Sequence, residues 1–198
     1  MSQMYVIGED ALSCAMGTRL VTEILGWSLA QPAVNTGGVT KLKAAIPRYI
    51  GLARIHPVLC VADTDGACAL ELRTGWLPAH APDDFLLRLA VTESESWLLA
   101  DHATFADFLN IAEMKVPDRP DEVSDAKLTV LNLARRSRKR HIRQEVVSSL
   151  YPNKPGAGYN EHLCEFVSNH WQPREAAKRS PSLARALLRL AELGAMSS

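Results

Sequence analysis
The sequence predicts an α/β fold: a mostly parallel sheet flanked by helices, with an α-helical extension at its C-terminal end. Three observations carry that prediction. The run Pro57-Val58-Leu59-Cys60-Val61-Ala62 is apolar throughout and stops at Asp63-Thr64-Asp65-Gly66. An apolar run of that length, closed by turn residues, reads as a strand buried on both faces. Two further short apolar segments, 4–7 and 85–91, also run into acids, at Gly8-Glu9-Asp10 and Thr92-Glu93-Ser94-Glu95. Between and after them, apolar residues recur at helical spacing. The expected organisation is an α/β core over residues 1–110 and a helical extension over 111–198, packed together as one compact unit.

Taken in order, residues 3–8 form the first strand. A helix follows on Leu12, Ala15, Leu20, Val21, Ile24 and Leu25, with Gly26 as its stop. Acidic residues at a helix start are also favoured by capping and the helix dipole, so Glu9 and Asp10 have a structural reading beside a chemical one. Residues 28–34 make a weak strand that Pro32 places near an edge. Asn35-Thr36-Gly37-Gly38 is a loop before a helix over 39–52, which carries Lys41, Lys43 and Arg48 and which Pro47 should kink or split. The loop lacks the Gly-Lys-Ser/Thr ending of a Walker motif, yet two glycines before a basic helix can set N–H groups near a phosphate. Segment 70–77 has no decisive pattern, 78–82 is a loop, and 85–91 is a strand. Helices are expected beyond Trp97, over 101–111, 127–133 and 159–169, with loops at 117–122 and 151–158. A last helix starts at Ser180-Pro181, a cap followed by the residue best suited to a first turn. Its Leu183, Leu187, Leu188, Leu190 and Leu193 form a stripe for the core or for a partner.

Lysine plus arginine and aspartate plus glutamate both number 22, so the formal net charge is zero. No global attraction to nucleic acid or membrane follows, and any such case must rest on local clusters. Cys14, Cys60, Cys68 and Cys164 have no metal-ligand spacing and fit reduced thiols in a cytoplasmic protein. The N-terminus does not read as a signal peptide, and no apolar run approaches the ~20 residues that cross a bilayer.

Three apolar segments therefore deliver carboxylates: Glu9, then Asp63 and Asp65, then Glu93 and Glu95. If the strands are parallel neighbours, these acids share one sheet edge, where ligands bind in open α/β sheets. Were the backbone to stay extended, Asp63 and Asp65 would point the same way. Such a cluster calls for a cation or for raised pKa values, although Asp-Thr-Asp-Gly is also good turn chemistry by itself. A second local excess is Arg135 to Arg143, with six positive charges in nine residues. It reads as a phosphate-contact surface, or as a solvated helix face balancing nearby acids.

Gly8-Glu9, Asp63-Thr64-Asp65 and the helices after them resemble the Toprim fold of topoisomerases, bacterial primases and overcoming-lysogenization-defect nucleases. More narrowly, the chain is similar to a Toprim-like prokaryotic family of unknown function, often encoded beside ABC- or AAA-type ATPases. The matching segments include Gly37-Gly38, Glu93-Ser94-Glu95-Ser96-Trp97-Leu98-Leu99-Ala100-Asp101, Leu133-Ala134-Arg135-Arg136-Ser137-Arg138 and Ser180-Pro181-Ser182-Leu183. One departure is that Ser94 and Ser96 stand where the family pattern has apolar or small residues.

The resemblance implies a Toprim-like, Rossmann-like sheet and metal-dependent phosphodiester hydrolysis. Glu9, Asp63, Asp65 and Glu95 would be catalytic. With Glu93 they would hold Mg²⁺ or Mn²⁺. Lys41, Lys127, Arg138, Arg140 and Arg143 would bind nucleic acid. No tyrosine stands in a topoisomerase context, so a nuclease is expected, as the effector of a prokaryotic antiviral defence or toxin system with an ATPase partner and as a homo-oligomer. Two alternatives stand beside it. One is a non-catalytic interaction subunit of an ATPase complex, using the leucine stripe. The other is a nucleotide phosphohydrolase, which shares the metal site but has no use for the basic run.

Overall fold
The computed structural model describes residues 2–196. Five parallel strands form its sheet: β1 (Gln3–Gly8), β2 (Ser28–Leu29), β3 (Val34–Asn35), β4 (Val58–Asp63) and β5 (Phe85–Ala90). The order is β2-β1-β4-β5, with β3 also against β1. β2 pairs with the start of β1 and β3 with its end. After β3 the chain crosses back through α2 (Val39–Leu52) to reach the other side of β1. The sheet is thus doubly wound, and its order reverses between β1 and β4.

All six residues of β4 are buried, as expected of a central parallel strand covered on both faces. Val58, Cys60 and Ala62 pack with Leu42, Ile46 and Tyr49 of α2. Leu59 and Val61 point to the opposite face, joined there by Leu12, Met16 and Leu20 of α1 (Ala11–Leu20). α1 starts directly off β1 because Asp10 and Ser13 form a reciprocal capping box. The approach is close: a Cβ on Gly17 would sit 2.6 Å from Val6 Cγ1.

That second face also receives the remaining helices: α4 (Glu95–Ala100), α5 (His102–Leu109), α6 (Ala126–Ala134), α7 (Arg140–Glu145), α8 (Tyr159–Asn169), α9 (Pro173–Ala176) and α10 (Pro181–Met196). α3 (Ala69–Trp76) lies between β4 and β5 in sequence. Trp97, Phe105, Val130, Leu163, Phe166 and Trp171 share one continuous core with the strands. Each large side chain so buried contributes about 1.5–3 kcal/mol. α8 packs along α1, and α10 packs on β5. No helix among the described residues is long and apolar enough to cross a membrane.

Several local expectations are corrected. The first helix widens into a π-turn over Val21–Leu25 before Gly26, at φ +66°, ends it. The single weak strand over 28–34 is two short ones, because Pro32 interrupts the ladder. α2 is not split at Pro47; Pro47 and Lys43 are exposed, so water can serve the freed carbonyl. Segment 70–77 is largely α3, and the helix expected over 101–111 ends at Leu109. Ser180 does cap α10, accepting from the Leu183 amide at 3.2 Å. Of the leucine stripe, Leu183, Leu190 and Leu193 are core, Leu187 packs against it, and only Leu188 is well exposed.

Candidate active site
The crevice of a doubly wound sheet lies outside the strand carboxyl ends, where the order reverses. Glu9 follows β1 there and Asp63 ends β4. Both are nearly buried, at 8% and 9% exposure. They are also linked: the Asp63 backbone N–H donates to Glu9 Oε1 at 2.8 Å. Asp63 Oδ1 accepts the Ser94 amide at 2.7 Å and the Ser94 hydroxyl. Glu9 Oε2 and Asp63 Oδ2 receive no hydrogen bond from the described residues. Over this pair opens a cleft of about 310 Å³, lined also by Asp10, Asn35, Gly37, Asp65, Lys127 and Asn160.

Burial dominates the electrostatics. It pushes Glu9 up to about 7, with Asp10 and Asp65 adding repulsion against the Asp63 amide. It pushes Asp63 up to about 8, where the Ser94 hydrogen bond opposes it and Glu9 and Glu95 reinforce it. Glu95, 2% exposed, is likewise raised by burial, although Lys127 and Tyr159 work against the shift. Tyr159 donates its hydroxyl to Glu95 Oε1 at 2.7 Å. Lys127 Nζ stands 3.7 Å from Glu95 Oε1 and 4.0 Å from Glu93 Oε1. Burial disfavours that ammonium, but Glu95, Glu93 and Asp63 outweigh it and hold the pKa above the usual lysine value. At neutral pH the site holds one firm cation, Lys127, together with two buried acids, Glu9 and Asp63, lifted to about 7 and about 8.

The backbone is strained beside the pair. Asp65 and Thr92 adopt φ of +48° and +44°, and a β-branched residue there is a rare conformation found mostly where function over-determines it. The Asp65 amide bonds the Thr92 carbonyl at 2.9 Å, which locks the ends of β4 and β5 together. This turn corrects the expectation of an extended Asp63-Thr64-Asp65. Asp63 points inward, while Asp65 is exposed on the cleft rim.

The other expected residues divide. Glu93 Oε2 accepts the Lys127 amide at 2.7 Å and so holds the start of α6. It lines a neighbouring cleft with Asp65 and Thr92. Lys127 sits among the carboxylates. Lys41 Nζ lies 3.5 Å from where a Gly37 Cβ would be, at the cleft's edge. Arg138 and Arg140 are exposed, and the Arg143 guanidinium bonds the Ser137 carbonyl. α6 ends at Ala134 and α7 starts at Arg140, so much of the basic run is non-helical. α6 separates that run from Lys127 by roughly 12 Å, at about 1.5 Å per residue. Three site residues were not anticipated: Ser94, Tyr159 and Asn160. Ser94 had a signal, as a departure from the pattern of the family the chain resembles; Tyr159 and Asn160 had none.

Among the described residues, no three His, Cys, Asp or Glu side chains gather into an ion-holding group. Mg²⁺ keeps several of its waters and needs only one or two carboxylates. Glu9 and Asp63, each with one oxygen free of donors, match that modest requirement. Comparison with protein-family models, with curated proteins and with solved structures returns no match to this chain.

Proposed function
We propose that the chain is a Toprim-type nuclease that hydrolyses phosphodiester bonds of nucleic acid with Mg²⁺ or Mn²⁺. The observation carrying this reading is the pair Glu9 and Asp63 at the switch point, joined by one hydrogen bond and lining one cleft. Glu9 and Asp63 would hold the ion, with Asp65 at the rim. The ion would neutralise the scissile phosphate and lower the pKa of an attacking water. Were Asp63 alone to hold the ion, Glu9, lifted to about 7 by burial, would instead serve as general base. Ser94 orients Asp63, and Tyr159 and Lys127 orient Glu95. Lys127 also offers a positive charge toward a phosphate entering the cleft. Arg138 and Arg140, exposed beyond α6, would take the nucleic-acid backbone.

In this reading the protein works in the cytoplasm as the effector of a defence or toxin system, with an ABC- or AAA-type ATPase. The alternative of a pure interaction subunit is disfavoured by the leucine stripe, most of which is spent in the core. A nucleotide phosphohydrolase keeps the same acids and differs only in leaving the basic run idle. The test is incubation of mixed DNA and RNA with Mg²⁺ or Mn²⁺. Metal-dependent cutting that Asp63→Ala abolishes, in a variant that stays folded, is the expected outcome. Cutting that survives chelation, or survives in that variant, refutes the proposal.

A further inference from the structure
A second cleft, of about 480 Å³, opens at the outer edge of the sheet, where α3, β5 and α10 meet. Four arginines surround it: Arg73, Arg88, Arg185 and Arg189. Their convergence follows from the elements. Arg185 and Arg189 are four apart on α10 and share a face. Arg73 stands on α3. Arg88 lies on β5 between Leu86 and Ala90, and alternation turns it to the same side as these two, beneath α10.

Three features point to an anionic ligand. The Arg88 Nε atom is buried and finds no acceptor among the described residues, an arrangement that native interiors avoid. Burial, then Arg73 and Arg189, lower its pKa to about 10, so like charge surrounds it. Among the described residues the ion pairs here are those of Arg189, with Asp83 at 3.5 Å and Glu192 at 2.6 Å, and Glu192 only partly offsets the lowering at Arg88. Meanwhile α3 buries none of its residues, and Leu70 on it is 68% exposed. The helix stands over the cleft without filling it. Guanidinium forks match phosphate oxygens two at a time. The volume falls within the range of small-ligand sites, and Ala69, Leu70 and Ala186 supply apolar lining.

We propose that this cleft binds a phosphate ester of nucleotide size, with the half-buried Arg88 as the anchor and Arg73, Arg185 and Arg189 around the phosphate. The ester is either a free mononucleotide or the phosphorylated end of a nucleic-acid strand. The site is separate from the acidic pair and does not rest on the nuclease reading. Calorimetric titration of the full chain without divalent cations tests it. The probes are inorganic phosphate, adenosine, AMP, and one oligonucleotide with and without a 5′-phosphate.

AMP should bind saturably and tighter than inorganic phosphate, and adenosine at least about tenfold more weakly than AMP. Arg73→Gln with Arg185→Gln, both exposed positions, should weaken AMP at least about tenfold with an unchanged Tm. Arg88→Met should abolish binding, and the exposed pair decides the matter if that variant misfolds. Asp63→Asn should bind AMP normally whatever it does to cutting. A phosphorylated oligonucleotide that matches AMP, while its hydroxyl form fails, identifies a strand end; AMP alone identifies a free nucleotide. No saturable binding of any phosphate probe, or normal binding by the exposed double variant, overturns the proposal.

Discussion

Asp63→Asn removes one titratable carboxyl and almost nothing else. The amide oxygen can still accept from the Ser94 amide and hydroxyl, and the backbone N–H still reaches Glu9. The native chain at pH 7 keeps a proton on Asp63, whose pKa rises from 3.8 to about 8, whereas the unfolded chain releases it. Roughly three pH units separate the ordinary value from neutrality, and each is about 1.4 kcal/mol. Allowing for relaxation around the charge, the substitution should stabilise the fold by on the order of 2–4 kcal/mol, or roughly 4–16 °C in Tm for a chain of this size. The sign in pH follows from the raised value. The wild type's stability from this group is complete below pH ~4 and is lost as pH rises through ~8. The variant does not titrate, so its advantage should be near zero at pH 4 and grow towards pH 8. Scanning calorimetry at pH 4, 7 and 8.5, with chelator present, measures this. A variant that melts at or below the wild-type temperature at pH 7, or an advantage flat in pH, refutes the view of Asp63 as a strained functional acid.

Other outcomes follow from the same geometry. Saturating Mg²⁺ should raise the wild-type Tm at pH 8 by a few degrees, on the order of 1–3 kcal/mol by mass action. The gain should shrink at pH 5.5, where protons occupy Glu9 and Asp63, and should vanish in Asp63→Asn. Tyr159→Phe leaves the buried Glu95 carboxylate short of a donor and should cost about 1.5–3 kcal/mol in urea unfolding. Arg138→Gln with Arg140→Gln should weaken nucleic-acid binding and lower the slope of log K against log salt by about 2. Hydrolysis of a small nucleotide, if that is the true reaction, would be untouched by the same double change.

The strands were legible because a central parallel strand has to be apolar on both faces, and 58–62 is. Their carboxyl-end acids were legible for the same reason: polarity returns abruptly where the sheet stops. What escaped was set by conformations and contacts with no periodic trace. Asp65 and Thr92 turn through positive φ, so a spacing of two no longer means a shared direction. α3 buries none of its residues and so has no face for a pattern to reveal. Tyr159 reaches Glu95 across 64 positions, and nothing local to either residue announces the other. Lys127 read as a nucleic-acid contact because its sequence neighbours say nothing of the acids folded beside it.

The pairing of Glu95 with Tyr159 bears on how the chain is born. Glu9 and Asp63 precede in sequence the phenol of Tyr159 that secures Glu95. A chain that stops short of Tyr159 carries Glu95 without the hydroxyl that bonds it.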